Sequence, residues 1–193
     1  MLFSGKCGIL KKVFYPRRVF QKIELSQTGE VYMDTGNVEV YYGEGRGKSS
    51  AALGKAIHSV AEGKDVFIIQ FLKGKSNQEM EFLKRLEPEI KFFRFEKSQE
   101  HFKELSGQQK EEEARNIKNG INFARKVLST GECDLLVLDE VLGLIDNGLI
   151  ELSELKELIL TRPEGMEVVL TGRVFQEELR SLANEIYHIE TEL

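Results

Sequence analysis

Residues 65–72, Asp-Val-Phe-Ile-Ile-Gln-Phe-Leu, form a near-continuous apolar run of strand length. A strand with one wet face alternates apolar and polar side chains. A run like this needs cover on both faces, which is the condition inside a parallel sheet. The neighbouring segments alternate in the way that supplies it. VEVYY (38–42) reads as a short strand, and SSAALGKAIHSVAEG (49–63) as a helix closed by Gly63. NQEMEFLKRLEPE (77–89) is helical in pattern, and IKFFRF (90–95) is a third strand. A long helix is expected from about Glu100 to Ser129, with Ile117, Ile121, Ala124 and Leu128 on one face and KEEEARNIK solvated. DLLVLDE (134–140), MEVVLTG (166–172) and EIYHIE (185–190) are the remaining strands, with SELKELIL (153–160) and FQEELRSLA (175–183) as helices around them. Strands separated by helices predict an α/β fold, a doubly wound, mostly parallel sheet with helices on both faces. In such sheets, ligands bind at the carboxyl ends of the strands.

The 193 residues suit one domain with a well-buried core, and 41% hydrophobic with 31% charged residues fits a globular chain. A net charge of −5 argues against nucleic acid as the main partner. No apolar run approaches the roughly 20 residues of a membrane-spanning helix. Cys7 and Cys133 lie far apart, without metal-type spacing, and His58, His101 and His188 are scattered, so none is taken as a ligand or nucleophile. A reducing, cytoplasmic setting is the expectation. Residues 1–36 read as an N-terminal extension, ahead of a nucleotide-binding domain at 37–193. Six basic residues precede the first acid, Glu24, and no signal-peptide core is present. VFQKIEL and EVYM, joined by SQTG, predict a small hairpin. The extension is equally readable as dispensable, with Met33 an alternative start.

The stretch YYGEGRGKSSAALG (41–54) sits between the first confident strand and the first helix. Backbone N–H groups of such a loop and the helix N-terminus converge on one point, which suits an anion. Gly43, Glu44, Gly45, Arg46, Gly47, Lys48, Ser49 and Ser50 are the candidate nucleotide-binding residues. Lys48 would reach phosphate oxygens, and Ser49 would offer its hydroxyl to a phosphate-bound Mg²⁺ or Mn²⁺. The usual spacing G-x-x-x-x-G-K-[ST] requires glycine where Tyr42 stands. A glycine turn with an incidental lysine is the plain alternative. DLLVLDE weighs against it, because Asp139 at a strand end supplies the carboxylate that holds the metal opposite Ser49. Asp139 alone could equally be a helix cap or a loop carboxylate. Taken together, the two motifs predict a nucleoside triphosphate site of the P-loop, RecA-like type.

From about Val38 to Glu190 the chain resembles the P-loop ATP:corrinoid adenosyltransferases. The resemblance rests on YGEGRGKSSAALG, VFIIQFLKG (66–74), CDLLVLDEVLGLIDNGLI (133–150), TRPEG (161–165) and VVLTGR (168–173). In that family a residue other than glycine precedes the loop, so Tyr42 fits the pattern. Ser49 and Ser50 stand where two threonines are customary, and both hydroxyls are kept. The resemblance implies that ATP lies in the loop in reversed sense, presenting its C5′ carbon to the Co(I) of a reduced corrinoid, with triphosphate leaving. The nucleophile is then the corrinoid itself, so no Ser, Cys or His nucleophile is needed. Lys48 and Arg173 are the expected catalytic groups, stabilising the leaving triphosphate, with Ser49 and Asp139 at the metal. Lys73 and Arg46 are weaker candidates for the same phosphates. ATP, the corrinoid, a flavoprotein electron donor and a second copy of the chain are the implied partners, with no membrane or nucleic acid.

The pattern departs from the family in two places. The Gly-Phe-Thr-Trp segment linked with the corrinoid is replaced by RFEKSQEHFKELSGQ (94–108), and the chain has no tryptophan. The family's basic tail also has no counterpart after IYHIE (186–190). Phe95, His101 and Phe102 either line a divergent corrinoid pocket or serve as core and loop. Two other readings stay open: a RecA-like ATPase in which Glu140 positions water, and a non-catalytic module that binds ATP or a corrinoid.

Overall fold

The computed structural model describes residues 36–72, 83–96 and 102–192, together with two short strands near the N-terminus. The chain divides into two units, Met1–Met33 and Asp34–Leu193. In the first unit β1 (Glu24–Leu25) pairs antiparallel with β2 (Val31–Tyr32), with Leu25 opposite Val31.

The second unit holds a six-stranded, all-parallel sheet. Its strands are β3 (Val38–Tyr42), β4 (Val66–Gln70), β5 (Ile90–Arg94), β6 (Leu135–Asp139), β7 (Glu167–Gly172) and β8 (Glu185–His188), in the order β5-β4-β6-β7-β3-β8. β7 stands between the strand that leads into the glycine loop and the strand that ends in Asp139, the arrangement of RecA-like P-loop folds. Every residue of β4 and β6 is buried, as their unbroken apolar character requires.

Helix α1 (Lys48–Ala61) covers one face. Helices α2 (Gly107–Thr130), α3 (Leu142–Asp146) and α4 (Leu152–Leu160) supply side chains to the other. Strand side chains alternate between faces with period two. Leu135 and Val137 pack with Ala52 and Ala56 of α1, whereas Leu136 and Leu138 pack with Ile117, Ile121, Ala124 and Leu128 of α2. Small residues on the inner face of α1 let it lie close to the sheet. The same parity carries Gln70, Asp139 and Thr171 onto the α1 face at the carboxyl ends of their strands. That is what gathers the polar residues described below.

Two helices come out shorter than their patterns suggest. The helix expected from Glu100 begins only at Gly107, because Ser106 and Gln109 form a capping box there, and Phe102–Glu104 is a single 3-10 turn. Residues 175–183 form only a 3-10 turn at Glu177–Leu179. Of that stretch Leu179 is the one buried residue, so too little apolar surface is covered to hold a longer helix. Most of the helix expected at 77–89 lies outside the described residues; Lys84–Leu86 is a 3-10 turn. No described helix is long and apolar enough to cross a membrane.

Candidate functional site

β3 ends at Tyr42, paired with Gly172 of β7 on one side and His188 of β8 on the other. The chain then turns through residues 43–47 into α1. Gly47 is the N-cap residue, with φ 117° and ψ −12°, a left-handed backbone in which a side chain is strained. No side chain caps α1, and its first turn carries no acid, so the protein itself leaves this positive helix end open to an anion. Lys48 is buried, and its Nζ donates to Gly43 O at 2.7 Å and to Gly45 O at 2.9 Å. Those carbonyls orient the ammonium without cancelling its charge.

The loop is walled by its neighbours. Gly43 N donates to Arg173 O at 3.0 Å, and Gly45 N donates to Ile189 O at 3.0 Å. A Cβ on Gly45 would stand 2.6 Å from Ile189 O, so this glycine is demanded by the segment after β8. Arg46 N donates to Thr191 Oγ1 at 3.4 Å. The side chains of Glu44, Arg46, Ser50 and Arg173 are exposed around the rim, and Gly47 is exposed with them. Arg173 thus lies beside the loop through its backbone, with its guanidinium in solvent. Lys73 lies outside the described residues.

Across the loop, Asp139 is 3% exposed and gathers three neutral donors. Ser49 Oγ donates to Oδ1 at 2.8 Å, Thr171 Oγ1 donates to the same oxygen at 2.7 Å, and Gln70 Nε2 donates to Oδ2 at 2.6 Å. Thr171 Oγ1 also accepts from Glu140 N at 2.8 Å. That bond anchors Glu140, whose φ of 61° is unusual for a residue with a side chain. The predicted pair Ser49 and Asp139 is therefore in direct contact. Sequence reasoning missed Gln70 and Thr171. Each is a polar residue at the end of an otherwise apolar strand, and that interruption was the available signal.

Ser49, Ser50, Gln70 and Asp139 also line a cleft of about 90 Å³, whose other wall is apolar: Ile68, Leu83, Phe92 and Val137 among others. The donor set is all oxygen, which fits Mg²⁺ or Mn²⁺ better than a softer metal. Among the described residues no group of three or more His, Cys, Asp or Glu could hold a metal ion. A cation here would take its remaining ligands from phosphate and water, as Mg²⁺ does in nucleotide sites.

A family model described as ATP:corrinoid adenosyltransferase BtuR/CobO/CobP matches residues 34–192. The chain belongs to this family. It is a transferase that moves the adenosyl group of ATP to a corrinoid. Among curated relatives, the corrinoid adenosyltransferase of Escherichia coli (strain K12) is 26% identical over 171 residues, 88% of this chain and 84% of the relative. The corrinoid adenosyltransferase of Pseudomonas aeruginosa is 29% identical over 160 residues, covering 79% of this chain and 74% of the relative. Among solved structures, the assembled ATPase EscN of an enteropathogenic E. coli type III secretion system aligns with a TM-score of 0.45 at 16% identity. That alignment spans 80% of this chain and 43% of EscN.

Of the region that departs from the family pattern, residues 94–96 and 102–108 are described. Phe95 packs against the main core, its ring 5.9 Å from that of Phe123, and a Cβ on Gly120 would meet it. Phe95 is therefore a core residue. Phe102 sits half-buried in the 3-10 turn, and His101 lies outside the described residues.

A second polar cluster lies beneath the middle of α1. Lys55 Nζ bonds Glu39 Oε1 at 2.7 Å and faces Glu167 Oε2 at 3.3 Å, while Tyr41 Oη donates to Glu39 Oε2 at 2.6 Å. Burial, and then the bond to the Glu39 carboxylate, push the Tyr41 hydroxyl well above the ordinary tyrosine range. Partial burial pulls the Lys55 ammonium down, but Glu39 and Glu167 outweigh it and hold it above its usual value. Glu39, Tyr41 and Lys55 bond one another and tie α1 to the sheet, while Glu167 Oε2 is buried with the Lys55 ion pair and no hydrogen bond.

Proposed function

We propose that ATP binds with its triphosphate in the 43–50 loop and that Lys48, the uncapped amides at the start of α1 and a Mg²⁺ at Ser49 and Asp139 stabilise the departing triphosphate. The observation that carries this reading is the buried Lys48 ammonium, held by two neutral carbonyls at the open N-terminus of α1. When bound, the metal supplies positive charge to the leaving oxygens. This chain's residues do the rest. Ser49 and Asp139 fix where the cation sits, and Thr171 and Gln70 hold the Asp139 carboxylate in one orientation. Cobalt attacks C5′, the carbon–oxygen bond breaks, and the electron pair leaves on triphosphate. The protein aligns these atoms and provides the charge complement.

Arg173 belongs to the same reading as a rim residue. Its exposed side chain, anchored by a backbone carbonyl on Gly43 N, is placed to fold onto bound phosphate. A flavoprotein reductant, a homodimer and a cytoplasmic setting complete the proposal, because Co(I) must be generated by reduction before it can attack. The test is anaerobic incubation with ATP, Mg²⁺ and chemically reduced corrinoid, followed through the visible spectrum and the phosphate products. Triphosphate with a new carbon–cobalt bond is expected. ADP with inorganic phosphate would overturn the assignment in favour of an ATPase.

A further inference from the structure

Gln70 is the last residue of β4, in register with Asp139 of β6 and Arg94 of β5. It is 2% exposed, a polar side chain ending a strand whose other residues are apolar. Its Nε2 donates to Asp139 Oδ2 at 2.6 Å. An ionised carboxylate only accepts, so the amide must turn its NH₂ group towards Asp139. That choice fixes the other end. Among the described residues no donor reaches Gln70 Oε1, although the atom is buried. An unmet buried acceptor is destabilising, because it has given up its water without a replacement. The residue lines the same cleft as Ser49, Ser50 and Asp139.

We infer that Gln70 is a positioning residue of the metal–nucleotide site: Nε2 locks the Asp139 carboxylate, and Oε1 accepts a hydrogen bond from water on the bound divalent cation. The inference rests on the proposed seating of metal and ATP between the loop and Asp139. Mg²⁺ and Mn²⁺ keep part of their hydration shell at such sites, and those waters are strong donors. The acceptor left unmet by the protein is then met when the loaded nucleotide arrives. Gln70 thereby couples metal affinity to the orientation of Asp139.

The test uses the full chain, Mn²⁺ as probe and ATP as nucleotide. Free Mn²⁺ is measured by electron paramagnetic resonance, nucleotide affinity by calorimetry with and without chelator, and ligand-free stability by thermal melting. Gln70→Met keeps the volume and removes both polar ends, and Gln70→Asn keeps an amide that is one methylene short. The expected result is a loss of Mn²⁺ affinity of about tenfold or more for Gln70→Met, with a smaller loss for Gln70→Asn. ATP affinity in chelator should match the unmutated protein. Ligand-free melting should fall modestly for Gln70→Met, because buried Asp139 Oδ2 loses this donor even as the unmet amide oxygen is removed. Equal Mn²⁺ affinity in all three proteins would overturn the inference and leave Gln70 as packing. Absence of ATP-dependent Mn²⁺ binding in the unmutated protein would instead sink the metal–nucleotide reading, and the inference with it.

Discussion

Helix α2 starts at a closed end: Ser106 Oγ accepts from Gln109 N, and Gln109 Oε1 accepts from Ser106 N at 2.9 Å. Helix α1 starts after Gly47, with no side-chain cap and no acid in its first turn. Both ends present the same partial positive charge and the same unpaired N–H groups. At α2 the chain's own side chains meet that demand. At α1 the chain adds to it, burying the Lys48 ammonium beside the open end and setting Ser49 against Asp139. A helix start that the protein completes serves the fold. One that it leaves incomplete and makes more positive suits something anionic from outside.

Replacing Lys48 tests the open end most severely. Lys48→Ala should lower triphosphate release at saturating ATP and reduced corrinoid by on the order of a hundredfold or more, because the leaving group gains charge as its bond breaks. Restoration of most of the rate by excess ATP would reduce Lys48 to a binding residue and weaken the contrast with α2.

This contrast was partly legible in the sequence. GEGRGKSS between a strand and a helix named the loop, and the acid closing LLVLD (135–139) named its partner, because strand parity and the doubly wound order bring strand ends together. Gln70 and Thr171 were not singled out, since a polar residue ending an apolar strand reads as a boundary until the neighbouring strands are in register. The sequence pattern puts the start of α2 too early for a related reason. The charged run KEEEARNIK extends the helical pattern, but the cap at Ser106 decides where hydrogen bonding begins. The segment 175–183 has a helical pattern, yet it keeps only a 3-10 turn at Glu177–Leu179 because little of it is covered. The sequence pattern points Arg173 at the phosphates; in the fold its backbone carbonyl lies beside the loop and its side chain is exposed, and a sequence does not show that exposure.

Asp139→Asn sharpens the comparison from the strand side. One amide edge would then present N–H groups to the donors of Ser49 and Thr171 or of Gln70, so at least one of these bonds is lost. Mn²⁺ affinity in the presence of ATP should fall by about tenfold or more, a carboxylate's charge being absent from an amide. Unchanged metal dependence in a Mn²⁺ titration would remove Asp139 from the site.

Lys55→Met acts under the same helix yet away from its open end. Glu39, 5% exposed, would keep the Tyr41 hydroxyl and lose its ammonium partner. Because Lys55 is itself 29% exposed, a cost of about 1 kcal/mol in denaturant unfolding is expected, with nucleotide affinity unchanged. The pH response follows from the signs. Tyr41 and Lys55 both have folded pKa values above their unfolded ones, so their contribution is complete below about pH 10 and fades as pH rises beyond it. The melting temperature should fall on that alkaline side, and Tyr41→Phe should flatten the fall. A steeper fall in Tyr41→Phe would contradict the cluster as described.

Ser106→Ala probes the closed end and should have the smallest effect. The Ser106 hydroxyl accepts from Gln109 N at 3.5 Å, at the long limit of such a bond, and the site is exposed. N-cap serines are worth about 0.5–2 kcal/mol, and this geometry puts the loss near 0.5. For a domain of this size that corresponds to a fall in melting temperature of about 1–2 °C. The first turn of α2 should fray, raising amide exchange at Gly107 to Gln109, while turnover and Mn²⁺ affinity stay at their unmutated values. A drop in turnover would mean that the α2 start communicates with the loop. The division between a helix end that serves folding and one that serves phosphate would then have to be abandoned.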